Sequence, residues 1–355
     1  MATTTISSSG VLGFNDNTGA VQLPSGTTAE RPVSASNGQI RYNTTDNKVE
    51  YYDGTSWQQY DDYNSAAYDI DYLVIAGGGN GGTNPGQSFG SAGGGGAGGL
   101  RTTYGTTSGG GCALESKPTF TLGTTYTFTI GGAENDSSMT GSDITTITST
   151  AGGRGGEYLS NGNGGSGGGA SQSSYGGYPA TPAGTGTSCQ GFNGGTTSVD
   201  SGAGGGGAGA VGANTTSLPS PGDGGAGVGV PITGSYVFYA AGGGAGLRLT
   251  PSSTTGTPGS GGLGDGSGDG GRRELPPNYT GTNGTAGKVN SGGGGGGGGT
   301  ATNSGHSNGG AGGSGVIIVR MPTANYSGTT TGSPTVTTTG SDTVLTYTGS
   351  GTYTA

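Results

Sequence analysis

Two short apolar runs stand out from an otherwise polar chain: Tyr72-Leu73-Val74-Ile75-Ala76 and Val316-Ile317-Ile318-Val319-Arg320. Both are rich in β-branched residues and bounded on one side by glycine, so each reads as a strand. They bracket the long stretch between them, and the expectation is that they pair and close it. Elsewhere apolar residues alternate with threonine. Phe120-Thr121-Leu122 and Tyr126-Thr127-Phe128-Thr129-Ile130 flank the turn Gly123-Thr124-Thr125, and Ser142 to Thr148 adds a further strand. Together with the brackets these strands predict a small β-sandwich. Past Pro322 the alternation returns in Thr335 to Thr339 and Val344-Leu345-Thr346-Tyr347, a β tail.

At the other end, residues 1–25 carry only sparse apolar marks (Ile6, Val11, Leu12, Phe14, Val21, Leu23) and read as an extended arm. Ile40/Tyr42 and Val49/Tyr51 then alternate on either side of the polar turn Thr44-Thr45-Asp46-Asn47, which predicts a β-hairpin. A second turn, Asp53-Gly54-Thr55-Ser56, delivers Trp57 onto that hairpin. Residues 61–71 concentrate acids and make a linker.

What fills the bracketed region is glycine. Gly93 to Gly96, Gly204 to Gly207 and the eight consecutive glycines Gly292 to Gly299 recur between short polar loops. Glycine has no side chain to bury and loses more backbone freedom on ordering than any other residue. If such runs are ordered, backbone must pack on backbone. A left-handed helix of three residues per turn, the polyproline II form, points its N–H and C=O groups outward, and copies can bond side by side when nothing larger than hydrogen projects between them. Collagen obeys the same steric rule but needs glycine at every third position with abundant proline, and neither condition is met here. The expected object is a bundle of polyglycine II helices, an eight-residue run spanning about 25 Å. The predicted fold is therefore all-β plus a polyglycine II bundle, without an α-helix of note. Its layout is an attachment module (1–60), a linker (61–71), a glycine-rich domain (72–320) and a tail (321–355).

Composition sharpens this picture. Of 355 residues 92 are Gly, 27% are hydrophobic and only 9% charged, with a formal net charge of −9. The few, scattered basic residues form no stripe of the kind phosphate neutralisation requires, which argues against a nucleic-acid partner. No run of 18 apolar residues exists and the first residues lack a signal peptide's basic and apolar regions. Cys112 and Cys189 are too few for a disulfide framework, and a bridge between them stays open.

Two stretches resemble known families. LPSGTTAERP followed by NGQIRYNTTDNKVEYYDGTSWQ, residues 23–58, is similar to a short module of tailed-bacteriophage tail-fibre and other virion proteins. YLVIAGGGNGG, GGGGAGGLR, FTLGTTYTFTIGGA, YAAGGGAG and GGAGGSGVIIVR, spread over residues 72–320, resemble the glycine-rich domain of phage tail and virion proteins. The resemblance implies a structural protein at the virion surface, in a tail fibre or a capsid appendage. Its amino-terminal module, with Ile40, Tyr42, Tyr51 and Trp57, would engage other virion proteins, and its loops would meet a host cell-surface glycan or protein. A homotrimer is expected, because fibres poor in core residues gain from shared surface. A capsid decoration protein and an extracellular filament subunit are the alternatives.

The loops between glycine runs carry the candidate contact residues: Tyr175, Tyr178 and Phe192, then Arg248, then Arg272, Arg273 and Tyr279. Tyr, Ser, Gly and Asn in such loops give rigid contact area at low entropic cost, although the aromatics could equally cap the ends of a coreless bundle. Other motifs carry less. GxGxxG recurs by composition alone and lacks the strand-to-helix setting, and no glycine loop runs into GKS or GKT. Gly261 to Asp269 approximates a calcium nonapeptide with its acid one place early and no tandem copy. His306 is the single histidine, too little for a metal cluster or a triad. The expectation is a non-enzyme without cofactor or metal.

Overall fold

The structure, a computed structural model, describes residues 23–60, 67–84, 90–156, 162–171, 181–249, 255–264, 267–272, 281–300 and 307–355. The chain divides into two compact units, one ending at Ala66 and one starting at Ala67. Among the described residues it is all-β, with three short 3-10 turns and no α-helix.

In the first unit, β1 (Ser25–Gly26), β2 (Ile40–Asn43), β3 (Lys48–Tyr52) and β4 (Trp57–Gln59) form one sheet in that order. The hairpin pairs Ile40 with Tyr51 and Tyr42 with Val49, the register its alternation predicts. Tyr52 pairs with Trp57, whose ring lies 5.5 Å from that of Tyr52. The buried face is the polar one. Arg41, Asn43 and Glu50 are buried, while Ile40 and Tyr51 are 48% and 36% exposed. A buried carboxylate is tolerable only when paired and fully hydrogen-bonded. Glu50 meets both conditions: it accepts from Arg31 at 2.6 Å and from Asn43 at 3.1 Å, and Arg41 lies 3.6 Å away. Chiefly the Arg31 hydrogen bond holds the Glu50 carboxyl below its usual range.

The second unit contains β5 (Ala67–Asp69), β6 (Asp71–Ile75), β7 (Leu100–Thr102), β8 (Thr119–Thr121), β9 (Thr125–Thr129), β10 (Ser137–Gly141), β11 (Ile144–Ser149), β12 (Val228–Val230) and β13 (Val237–Tyr239), then β14 (Val316–Pro322), β15 (Thr329–Thr330), β16 (Thr335–Thr339), β17 (Asp342–Tyr347) and β18 (Gly351–Thr354). The bracket strands do pair: β6 and β14 run antiparallel with Val316 opposite Ile75 and Val319 opposite Tyr72. They sit inside the sheet β16-β17-β14-β6-β7, and a second sheet runs β11-β10-β9-β18-β15. The segment after residue 320 is thus drawn into both sheets, β17 beside β14 and β18 beside β9.

Because successive strand residues face opposite ways, β6 and β14 serve two cores. Tyr72, Val74, Ile317 and Val319 join Phe120, Tyr126, Phe128, Leu345, Tyr347 and Tyr353 in one aromatic-rich cluster. Leu73, Ile75, Val316 and Ile318 join Ala97, Leu100, Val230, Ile232 and Ala240 on the opposite face. That double burial is why neither bracket alternates in sequence. Each fully buried apolar side chain contributes about 1.5–3 kcal/mol.

Beyond the second cluster lies the glycine region, and its hydrogen bonds follow a period of three. Gly78, Gly81 and Asn84 donate to Gly313, Gly310 and Ser307; Gly79 and Gly82 donate to Gly96 and Gly93; the carbonyls of Gly77 and Asn80 accept from Gly152 and Gly155. The next segment repeats the scheme. Gly93, Gly96 and Gly99 donate to Gly156, Gly153 and Thr150, Gly94 and Ala97 to Ala203 and Gly206, and Ala92, Gly95 and Gly98 to Gly298, Gly295 and Gly292. A β-strand bonds in two directions, to one neighbour on each side. These segments bond in three. Segments 77–84 and 92–99 are antiparallel, whereas 92–99 and 203–206 run in parallel, as the rising residue numbers of both show. A Cβ on Gly78 would overlap the carbonyl of Gly293, and one on Gly295 the carbonyl of Gly310. Hydrogen is the only side chain those approaches admit.

Cys112 and Cys189 are joined, with their Cα atoms 5.2 Å apart and a separation of 77 positions in sequence. The bond ties the loop after β7 to a turn of the glycine region, and resolves a pairing the sequence leaves open.

Candidate functional site

The hydrogen-bond register places the chain reversals. Segment 77–84 leaves β6 and is bonded antiparallel to 307–313, which enters β14, so Asn84 and Ser307 lie at the end remote from the sheet. The same reasoning carries outward: Gly246 donates to Ala92, Thr300 to Leu247, Gly271 to Gly297, and Thr282 to Arg272. Ser171 bridges Thr181, and Ser91 and Ser201 share a hydrogen bond of 3.2 Å. At this end small polar side chains take the place of glycine: Asn84, Ser91, Thr181, Ser201, Thr300 and Ser307 are all buried. Asn84, Ser91, Ser201 and Thr181 close the glycine segments with side-chain hydrogen bonds, to the Gly90 carbonyl, to each other and to Ser171, while the buried hydroxyls of Thr300 and Ser307 have no partner among the described residues.

On the flank near this end is a cleft of about 410 Å³, formed where residues 257–260, 269–272 and 282–285 lie side by side. Gly270 donates to Gly259, and Thr285 to the carbonyl of Asp269. The lining is polar: Ser260, Asp269, Arg272, Thr282, Asn283 and Thr285. Several of these groups are partly committed. Asp269 Oδ1 accepts from the Gly261 N–H at 2.7 Å, Thr282 Oγ1 from the Arg272 N–H at 2.8 Å, and Asn283 Oδ1 from the Asn308 N–H at 2.8 Å. What remains is the amide Nδ2 of Asn283, the second carboxylate oxygen of Asp269 and the exposed Arg272 guanidinium. Among the described residues Arg272 has no ion pair. Such a set can donate to and accept from a hydroxyl-rich or carbonyl-bearing ligand.

The other candidate residues divide. Arg248 is held at 2.7 Å from Asp200, so its charge is compensated within the chain. Phe192 lies near the Cys112–Cys189 bond: its ring tip would lie 3.3 Å from a Cβ added at Gly111, and its N–H donates to Gly207. It belongs to the neighbourhood of β7 and is not grouped with Arg248 and Arg272. Tyr175, Tyr178, Arg273, Tyr279 and His306 lie outside the described residues, though their described neighbours Ser171, Thr181, Arg272 and Ser307 all sit at the remote end. Among the described residues no three His, Cys, Asp or Glu side chains gather as a metal site. The module's Ile40 and Tyr51 are exposed, Tyr42 and Trp57 half-buried. Sequence reasoning found Arg272 but did not join Asp269 and Asn283 to it, since nothing in a glycine-rich sequence gives the register that does so.

The sequence matches a known family: the glycine-rich domain aligns with residues 53–322, about three quarters of the chain. The chain belongs to the glycine-rich domain family. No curated protein and no solved structure matches it. The glycine-rich domain as aligned ends at Pro322, the last residue of β14. In this member β17 and β18, which lie past that limit, complete both sheets.

Proposed function

We propose that this glycine-rich domain protein is a virion structural protein, a tail-fibre or adhesin subunit that presents loops to a host cell surface. In this reading the glycine segments are polyglycine II helices, which accounts for their three-way, period-three bonding. They make a stiff body on which reversals from distant parts of the sequence gather. The observation that carries the reading is this gathering: the chain reverses repeatedly at the end remote from the sheet, next to a polar cleft. Binding residues are disproportionately found on loops held by a rigid scaffold. The partner would be a cell-surface glycan or protein, and the first unit would engage the rest of the particle.

Purified protein is expected to bind host cells and to block adsorption of the particle. Arg272→Ala with Asn283→Ala should weaken that block, as should Tyr175→Ala with Tyr178→Ala. Binding to particles without binding to cells would instead assign a decorating, stabilising role. Self-assembly into long polymers in the absence of particles would assign a filament.

A further inference from the structure

The sheet edges of the second unit are treated unequally. At β7 the outer groups are occupied: Leu100 donates to the carbonyl of Gln190, and Glu115 donates to the carbonyl of Thr102. At β11 the Thr148 carbonyl accepts from Arg101 and from Gln190. The edge strand β15 is two residues long. In these two five-stranded sheets the remaining edge is β16, covered only at its ends, where Pro334 precedes it and Thr339 Oγ1 donates to the Thr233 carbonyl at 3.3 Å. Thr335-Val336-Thr337-Thr338-Thr339 is exposed over its first four residues, and Val336 is 45% exposed. Its backbone pairs with β17 alone among the described residues. Natural edges of this length are usually blunted by a lysine, a proline, a bulge or an inward charge. These five residues are all β-branched and uncharged, which is the composition that favours pairing.

The register says which groups are offered. The turn Gly340-Ser341 makes Thr339 and Asp342 the closing pair of the β16-β17 hairpin. In an antiparallel ladder alternate residues bond across the pair. Thr335, Thr337 and Thr339 therefore direct their main chain to β17, while Val336 and Thr338 direct theirs away from the sheet.

We infer that β16 pairs with β16 of a second copy of this chain, antiparallel and about a two-fold axis through Thr337. Val336 of each copy then exchanges both main-chain hydrogen bonds with Thr338 of the other, and the two Thr337 residues face each other as the non-bonded pair. The edge is self-complementary because it is uncharged: pairing two chains of net charge −9 elsewhere brings no like charges opposite here. An isologous contact uses up the edge on both copies, so it closes at a dimer. The inference does not depend on what the remote loops bind.

The test is mass and cross-linking on the full chain. Light scattering over rising concentration should pass from the mass of one chain to twice that mass. Thr337→Cys should give a disulfide-linked dimer under mild oxidation, because the facing residues of a non-bonded pair lie about 4.5 Å apart at Cα. Thr335→Cys should not cross-link. Thr338→Pro removes an N–H that the hairpin itself does not use, so it should abolish the dimer while the melting temperature of the monomer is kept. A chain that stays monomeric, one that assembles as a trimer indifferent to Thr338→Pro, or equal cross-linking of Thr335→Cys and Thr337→Cys would overturn the inference.

Discussion

The two faces of the sheet that holds β6 and β14 bury main chain by opposite means. On one face Phe120, Tyr126, Phe128, Tyr347 and Tyr353 fill the space between two sheets. On the other, past a thin layer of Leu73, Ile75, Val230 and Ala240, glycine segments lie against each other with carbonyls where side chains would be. Side chains have rotamers and can readjust when a neighbour changes volume. Main chain bonded in three directions has no such slack. The two faces should therefore differ less in stability than in tolerance, and single-carbon changes should separate them.

The largest effect concerns what restrains the glycine side. Cys112 and Cys189 lie 77 positions apart, and on the chain-entropy account closing such a loop is worth about 4.5 kcal/mol. Cys112→Ser, or reduction of the native protein, should lower the melting temperature by that equivalent. Identical calorimetric traces with and without reductant would mean that the glycine segments hold themselves together without the bond.

Next in size is Gly295→Ala. The added methyl meets the Gly310 carbonyl, and the carbon of that carbonyl and Ala311 stand behind it. Gly310 is itself fixed by its bond to Gly296. Overpacking typically costs about 1–3 kcal/mol, and this position should fall at about 3 because no rotamer relieves it. Denaturant unfolding measures it directly. A change under about 0.5 kcal/mol, the usual range for an unconstrained surface site, would show that the segments can slide apart.

This contrast also explains how much could be read from the sequence. The brackets, the hairpin register around Thr44 to Asn47 and the alternation of Tyr126 and Phe128 are legible because strand periodicity is written in side chains. The same hairpin does not announce its buried face. Nothing in the alternation of Ile40/Tyr42 and Val49/Tyr51 shows that the opposite face is the enclosed one, where Glu50 is buried because Arg31 and Asn43 supply the partners it needs. The cleft is harder still. Asp269, Asn283 and Ser260 meet through a register set by glycines, and consecutive glycines carry no mark of which carbonyl each will face. The Cys112–Cys189 bond was open for the same reason: its ends are distant in sequence and meet only once the segments are in register.

On the aromatic side the matching experiment removes a carbon. Ile317→Val trims one methylene from a fully buried position that pairs with Val74 on one side and Tyr347 on the other. Substitutions of this kind cost about 0.5–1.5 kcal/mol, the spread reflecting how far the site collapses around the gap. A value near 1 is expected, against about 3 for the carbon added at Gly295. Equal losses at the two sites would erase the distinction between a core that readjusts and one that does not.

The smallest effect isolates position from composition. Gly132 belongs to the same unit and follows a glycine, but it is exposed, its φ is not in the left-handed region, and a Cβ there would have nothing within 4 Å. Gly132→Ala removes conformational freedom from the unfolded chain without disturbing the folded one, which should stabilise the protein by about 0.4–1 kcal/mol. The sign is what matters. A small gain at Gly132 beside a loss at Gly295 would show that intolerance arises where main chain meets main chain. A loss at both would make it a property of the residue type, and the packing argument for the glycine segments would then have to be given up.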